Sequence, residues 1–215
     1  MKAILFDLDG TLLDTLEDLY NSINFALDTL SLPLRNRKEV RSYLGNGAAN
    51  LIRRSLPDGD TEHFEEAYSI FHEHYAIHSY DTTRPYDGIP EALASWRKQG
   101  YALAIISNKP DSAVQILGER FFPDITFTVG EREGISRKPA PDALLEAMHA
   151  LGVKKEDCIY VGDSEVDVET ARNAGIPCVA VTWGFRDRDE LVEAGATVFA
   201  DTTADLVKRV SELLG

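Results

Sequence analysis

Short, unbroken apolar runs alternate along this chain with longer segments whose apolar residues recur every three or four positions. The runs at Ala3–Phe6, 102–106, 125–129, 158–161 and 178–182 each predict a strand. Helical patterns lie between them. Pro90-Glu91 opens a helix over 91–98 that Gly100 follows, and Pro141-Asp142 precedes a helix over 143–151 that Gly152 closes. Strand and helix in alternation predict an α/β fold on a Rossmann-like, doubly wound parallel sheet. Ligands of such sheets collect at the carboxyl ends of the strands, so the polar residues after each apolar run are the first candidates for a site.

The alternation fails between Thr15 and Thr83, where no strand-like run occurs. Leu16, Leu19, Tyr20, Ile23, Phe25, Ala26 and Leu30 recur at near-helical spacing, as do Phe64, Ala67, Tyr68, Phe71 and Tyr75, and a shorter helix is expected after Gly47. This pattern predicts an inserted α-helical domain over 15–82, set into a core formed by 1–14 and 83–215. The hinges fall near Asp14-Thr15 and 82–85.

Length and composition narrow the class without identifying the chemistry. The 215 residues, 44% hydrophobic and 27% charged, are those of an ordinary globular protein of one domain or of a domain with an insertion. A formal net charge of −14 argues against nucleic acid or an anionic membrane as a partner. The amino terminus meets an acid at Asp7, too early for a secretory leader, and no apolar stretch approaches the roughly 20 residues of a membrane span. A cytoplasmic protein, monomer or homodimer, is the expectation. Cys158 and Cys178 each head an apolar run and read as small buried thiols. His74 and His78 share a helix face at i, i+4, but no motif around them supplies a third metal ligand.

The chemistry is concentrated at the strand ends. Asp7-Leu8-Asp9-Gly10-Thr11 puts two carboxylates two residues apart after the first apolar run, an arrangement that needs a cation or a shared proton. Gly10 lets the backbone turn sharply, and the hydroxyl and amide of Thr11 are open to a small anion. After the second run, Ser107-Asn108-Lys109 brings together a hydroxyl, an amide and an amine; it reads equally as a helix cap or as a phosphoryl-binding group. Lys138, just before a helix, is either a solvated loop cation or a charge that reaches into the site. Asp163 and Asp167 follow Val161-Gly162 near a helix start, where acids also complement the dipole. A second acid-rich strand end in a fold whose strand ends converge is most simply held by a hard divalent cation with oxygen ligands.

These four motifs, in this order, resemble those of the haloacid dehalogenase superfamily, and the likeness covers essentially the whole chain. The insertion directly after the first motif resembles a type-one cap. The resemblance implies a phosphatase in which Asp7 is the nucleophile, Asp9 the acid and base, and Ser107 and Lys138 hold the phosphoryl group. It further implies Mg2+ held by Asp7, the Asp9 carbonyl and Asp163, with Asp167 orienting Lys138 or a metal-bound water. Among the phosphatases, DLDGTLLDT, Leu44-Gly45-Asn46-Gly47-Ala48, Ser107-Asn108-Lys109 and Thr182-Trp183-Gly184-Phe185-Arg186 are similar to the phosphoglycolate phosphatases. Thr11, Gly45, Asn46, Gly47, Asn108 and Lys109 are then expected to bind a small phosphorylated metabolite. A pyrophosphatase, a sugar-phosphate phosphatase or a β-phosphoglucomutase-like phosphotransferase stands as the alternative, and a non-enzymatic receiver module phosphorylated on Asp7 as a remoter one.

Overall fold

The computed structural model of the chain describes residues 1–125 and 127–215. Its strands are β1 (Ala3–Phe6), β2 (Leu13–Asp14), β3 (Arg84–Pro85), β4 (Ala102–Pro110), β5 (Phe127–Glu131), β6 (Cys158–Gly162), β7 (Cys178–Val181) and β8 (Phe199–Ala200). Six of them form one parallel sheet in the order β5-β4-β1-β6-β7-β8, while β2 and β3 pair antiparallel with each other. The chain builds outward from β1 first through β4 and β5, then on the other side through β6 to β8. The switch in direction therefore falls at β1, where a crevice opens beyond the strand ends.

The helices are α1 (Leu16–Thr29), α2 (Arg37–Tyr43), α3 (Ala48–Ser55), α4 (Phe64–His78), α5 (Ile89–Lys98), α6 (Asp111–Phe121), α7 (Asp142–Leu151), α8 (Glu165–Ala174), α9 (Arg188–Glu193) and α10 (Thr203–Leu214). Successive side chains of a strand face opposite ways, so the unbroken apolar runs serve two cores at once. Ile4 and Phe6 of β1 pack with Trp96 of α5, Leu117 of α6 and Val210 of α10; Ala3 and Leu5 pack on the other face with Leu144 of α7 and Ala171 of α8. Each fully buried Leu, Ile or Phe contributes roughly 1.5–3 kcal/mol, so a register slip of one residue in β1 would disrupt both layers.

α1 to α4 enclose a third cluster, in which Leu19, Ile23 and Leu27 meet Leu51, Ile52 and Phe71. Two core residues, Ala113 and Phe185, join it and fasten the helical insertion over the crevice. Phe25, expected in the buried stripe of α1, is 49% exposed and stacks on His74 at 4.1 Å, because the helix axis turns that position outward. The His74 and His78 rings stack in turn, with Nδ1 atoms against Ser22 and Asp81. Cys158 is buried and Cys178 half-buried, both as free thiols.

Strand bounds differ from the apolar runs where polar residues continue the ladder. β4 runs on through Ser107, Asn108 and Lys109 to Pro110: its pairing with β5 breaks after Ile106 and resumes at Pro110 opposite Glu131, while Asp111 accepts from the Gly130 amide. The run expected at 125–129 is displaced to Phe127–Glu131, and its Thr126 lies outside the described residues. β7 ends at Val181, one residue before the expected Thr182.

Candidate active site

β1, β4 and β6 lie side by side, so Asp7, Ser107 and Asp163 leave the sheet at neighbouring points. Lys138 comes from the loop before α7 and reaches down between them. Its Nζ lies 2.7 Å from Asp7 Oδ1 and 2.7 Å from Asp167 Oδ1, with the Tyr160 hydroxyl at 2.9 Å. All four residues are buried. Burial opposes the charge of Lys138, but Asp167 and Asp7 outweigh it and hold its pKa above the ordinary value. Burial also pushes Asp7 up from 3.8 to about 7; Lys138 opposes this, whereas Asp167 and Asp9 add to it. Among the described residues, the second oxygen of Asp7 takes part in no hydrogen bond. One oxygen is thus fixed and the other is left for chemistry.

Asp163 is fixed by Thr11 Oγ1 at 3.1 Å and by the Phe185 amide at 2.7 Å. Its pKa stands well above the usual carboxylate range because of burial, and then because Asp167 and Asp7 are close. The backbone around it has been cleared of side chains. A Cβ on Gly10 or on Gly184 would come within 2.3 Å of the Asp163 carboxylate. At Gly10 the φ of +86° favours glycine independently. One oxygen each from Asp7, Asp163 and Asp167 lie within 4.8 Å of one another. Asp167 has its oxygens engaged, Oδ1 by Lys138 and Tyr160, Oδ2 by the Ser164 hydroxyl and the amides of Asp163 and Ser164. Asp7 and Asp163 are then the pair with charge left to offset. An all-oxygen, doubly acidic, glycine-walled site fits a small hard cation such as Mg2+.

Asp9 sits across the crevice. Lys109 Nζ lies 2.9 and 3.1 Å from its two oxygens, and Thr15 Oγ1 donates to Oδ1 at 2.7 Å. Both oxygens of Asp9 therefore accept hydrogen bonds, and Lys109 and Thr15 fix the orientation of the carboxylate. Burial disfavours the Lys109 charge, yet Asp9 and Tyr75 together outweigh it and hold the lysine pKa above the ordinary value. The Lys109 ammonium also rests 4.5 Å from the centre of the Tyr75 ring, a cation–π contact with the insertion.

Leu19, Leu51, Phe71 and Tyr75 roof these groups, and the cleft beneath encloses about 60 Å³. That is room for roughly four to six water-sized groups, and the cleft is partly open to solvent. Of the residues expected at the site, Asp7, Asp9, Gly45, Gly47, Ser107, Asn108, Lys109, Lys138 and Asp163 line the cleft. Ser107 Oγ accepts from the Lys109 amide at 3.3 Å, and its proton has no acceptor among the described residues. Asn108 spends its amide on the backbone of Lys138 and on the Gly45 carbonyl. Thr11 is turned to Asp163, and the Asn46 side chain lies 3.5 Å from Glu165; neither lines the cleft.

Arg186, Phe185, Ser164 and Tyr75 also line the cleft, and the sequence pattern alone gave them no roles. Arg186 follows the end of β7 by five residues, so only its place beside Gly184-Phe185 marked it. Tyr75 looks like one more apolar position of α4. Tyr160 occupies an inward position of β6, where a hydroxyl rather than a Phe is the only hint of a polar partner.

A family model described as haloacid dehalogenase-like hydrolase matches residues 4–181. Phosphoglycolate phosphatase 1 of Pseudomonas aeruginosa is 35% identical over 96% of this chain and 78% of its own. The phosphoglycolate phosphatase of Mesorhizobium japonicum is 34% identical over 99% of this chain and 97% of its own. Among solved structures, a predicted phosphoglycolate phosphatase from Haemophilus somnus 129pt superposes with a TM-score of 0.88 at 30% identity, over 98% of each chain. With its motifs at the ends of β1, β4 and β6 and this extent of similarity, the chain belongs to the haloacid dehalogenase-like hydrolase family and is one of its phosphatases.

Proposed function

We propose that the chain is a Mg2+-dependent phosphomonoester hydrolase that works through an aspartyl phosphate on Asp7, with 2-phosphoglycolate or a similarly small phosphorylated metabolite as substrate. The observation that carries this reading is the state of Asp7: one oxygen held 2.7 Å from Lys138, the other without a partner, at the floor of the cleft. The free oxygen attacks phosphorus in line as the ester oxygen departs. Lys138 and the Ser107 hydroxyl bind phosphoryl oxygens, and Lys138 keeps its charge through Asp167 after Asp7 has been esterified. Asp9 gives a proton to the leaving oxygen and then takes one from the water that hydrolyses the acyl phosphate. Asp7, the Asp9 carbonyl and Asp163 would hold the magnesium ion, which when bound offsets the repulsion between Asp7 and a phosphate dianion. The relatives named for phosphoglycolate support the substrate class.

Phosphate release from the purified protein, assayed over 2-phosphoglycolate, hexose phosphates and pyrophosphate with and without chelator, tests this reading. Magnesium-dependent turnover with 2-phosphoglycolate preferred over hexose phosphates is expected. Asp7→Asn should abolish turnover, and Asp9→Asn should slow it by roughly 10²–10⁴-fold, the worth of a general acid and base. Full activity in excess chelator, or a hexose phosphate as the best substrate, would overturn the assignment.

A further inference from the structure

Arg186 is a buried guanidinium that is only partly satisfied. It lies between the core and the insertion, with 5% of its surface exposed. Nε and Nη2 bind the Glu165 carboxylate at 2.7 and 3.2 Å, and Nη2 also donates to the Leu44 carbonyl at 2.7 Å. Nη1 is enclosed and has no partner. A charged donor gives up its hydration on burial and is costly when nothing replaces it, so such an atom on a residue that lines the cleft calls for an acceptor that a ligand could bring.

The other cations of the cleft are committed. Lys138 is shared between Asp7 and Asp167, and Lys109 holds both oxygens of Asp9. Neither leaves a charge for an anionic group beyond the phosphoryl group. Glu165, the one carboxylate on Arg186, is 41% exposed along its side chain and so neutralises the guanidinium through partly aqueous surroundings. Burial works against the Arg186 charge, but Glu165, with Asp163 and Glu190, outweighs it and keeps the pKa raised.

We propose that Arg186 Nη1 donates to a second anionic group on the substrate, so that the chain selects short bis-anions: a phosphoryl group and, a few atoms away, a carboxylate or a second phosphoryl group. This deepens the proposed substrate reading and rests on it for the choice of the carboxylate. Because Nη2 also holds the Leu44 carbonyl beside Gly45-Asn46-Gly47, a bound anion would tie recognition to docking of the insertion.

Steady-state kinetics of wild type, Arg186→Gln and Arg186→Lys on 2-phosphoglycolate, pyrophosphate and ethyl phosphate test the proposal. Ethyl phosphate matches 2-phosphoglycolate in size without the second charge. For the preferred bis-anion, Arg186→Gln is expected to lower kcat/KM by about 10- to 100-fold more than for ethyl phosphate, mostly through KM, the worth of one hydrogen bond to a charged group. Arg186→Lys, which keeps the charge, should recover part of that difference and serves if the glutamine variant does not fold. Equal losses on all substrates would show a purely structural arginine and overturn the proposal, as would wild type that prefers neither bis-anion to ethyl phosphate. Wild type that prefers pyrophosphate and loses that preference in Arg186→Gln would uphold Arg186 and overturn the phosphoglycolate reading.

Discussion

As the proposed nucleophile, Asp7 would meet two opposed demands: burial, to keep water from the reaction, and ionisation, to attack. Burial and the neighbouring acids lift it from 3.8 to about 7 without a cation, although Lys138 is in contact. Across that interval the metal-free folded chain holds a proton on Asp7 that the unfolded chain has released. By linkage, the stabilisation from the protonated acid is complete below pH 3.8 and is lost as pH rises through about 7. Mg2+ competes with that proton for Asp7, so its affinity should rise over the same range. The rise in Tm that magnesium produces is therefore expected to grow from pH 5.5 to pH 7.5, as thermal melts with and without the ion would register. A constant increment across that range would mean that Asp7 either is not perturbed or is not a ligand. Asp167 answers to a different test. Asp167→Asn leaves Lys138 with Asp7 alone and should cost about 3 kcal/mol, the lower end for breaking a buried ion pair, whereas a loss confined to turnover would make it a group of the reaction itself.

At the scale of elements, the insertion is tied to the core along the 44–47 loop, through Asn108 and Arg186, by Arg41 at Gly184 and Asp187, and again where the chain returns to the core. Asp18 of α1 is buried and accepts from the Thr82 amide at 3.0 Å, the Thr82 hydroxyl at 2.6 Å and the Thr83 amide at 2.9 Å, just where the chain returns to the core at β3. Asp18→Ala would strand these donors and should destabilise the chain by about 1–3 kcal/mol. Limited proteolysis should then cut first near residues 79–83; unchanged protection would place the hinge elsewhere. This anchor was not legible in the sequence, because an acid in the first turn of a helix is already explained by the helix dipole. The strands of the sheet were legible as runs buried on both faces, but β2, β3 and β8 are two residues each and offer no period to read. Likewise Ser107 to Lys109 broke the apolar run and so read equally as a helix cap or a phosphoryl-binding group beyond the strand, although β4 itself carries them into the site.

For the molecule as a whole, the reactive groups come from segments as distant in sequence as Asp7, Lys138 and Asp163, and the sheet order makes them neighbours. The acids and Lys138 could be read as a set because their residue types make little sense at strand ends without chemistry. Arg186 could not, since its meaning depends on the insertion closing over it through the Leu44 carbonyl. The expected direct roles of Thr11 and Asn46 rested on the same gap: from sequence, a side chain beside a site cannot be told from one that supports it. The central claim concerns a single atom, the free oxygen of Asp7. Acid quench of Asp9→Asn during turnover of a phosphoryl-labelled substrate, followed by peptide mapping, addresses it most directly. The account predicts an acyl-phosphate label, released by hydroxylamine, on the peptide that carries Asp7 and absent when Asp7→Asn is added; a label on Ser107, or phosphate release that survives Asp7→Asn, would contradict it.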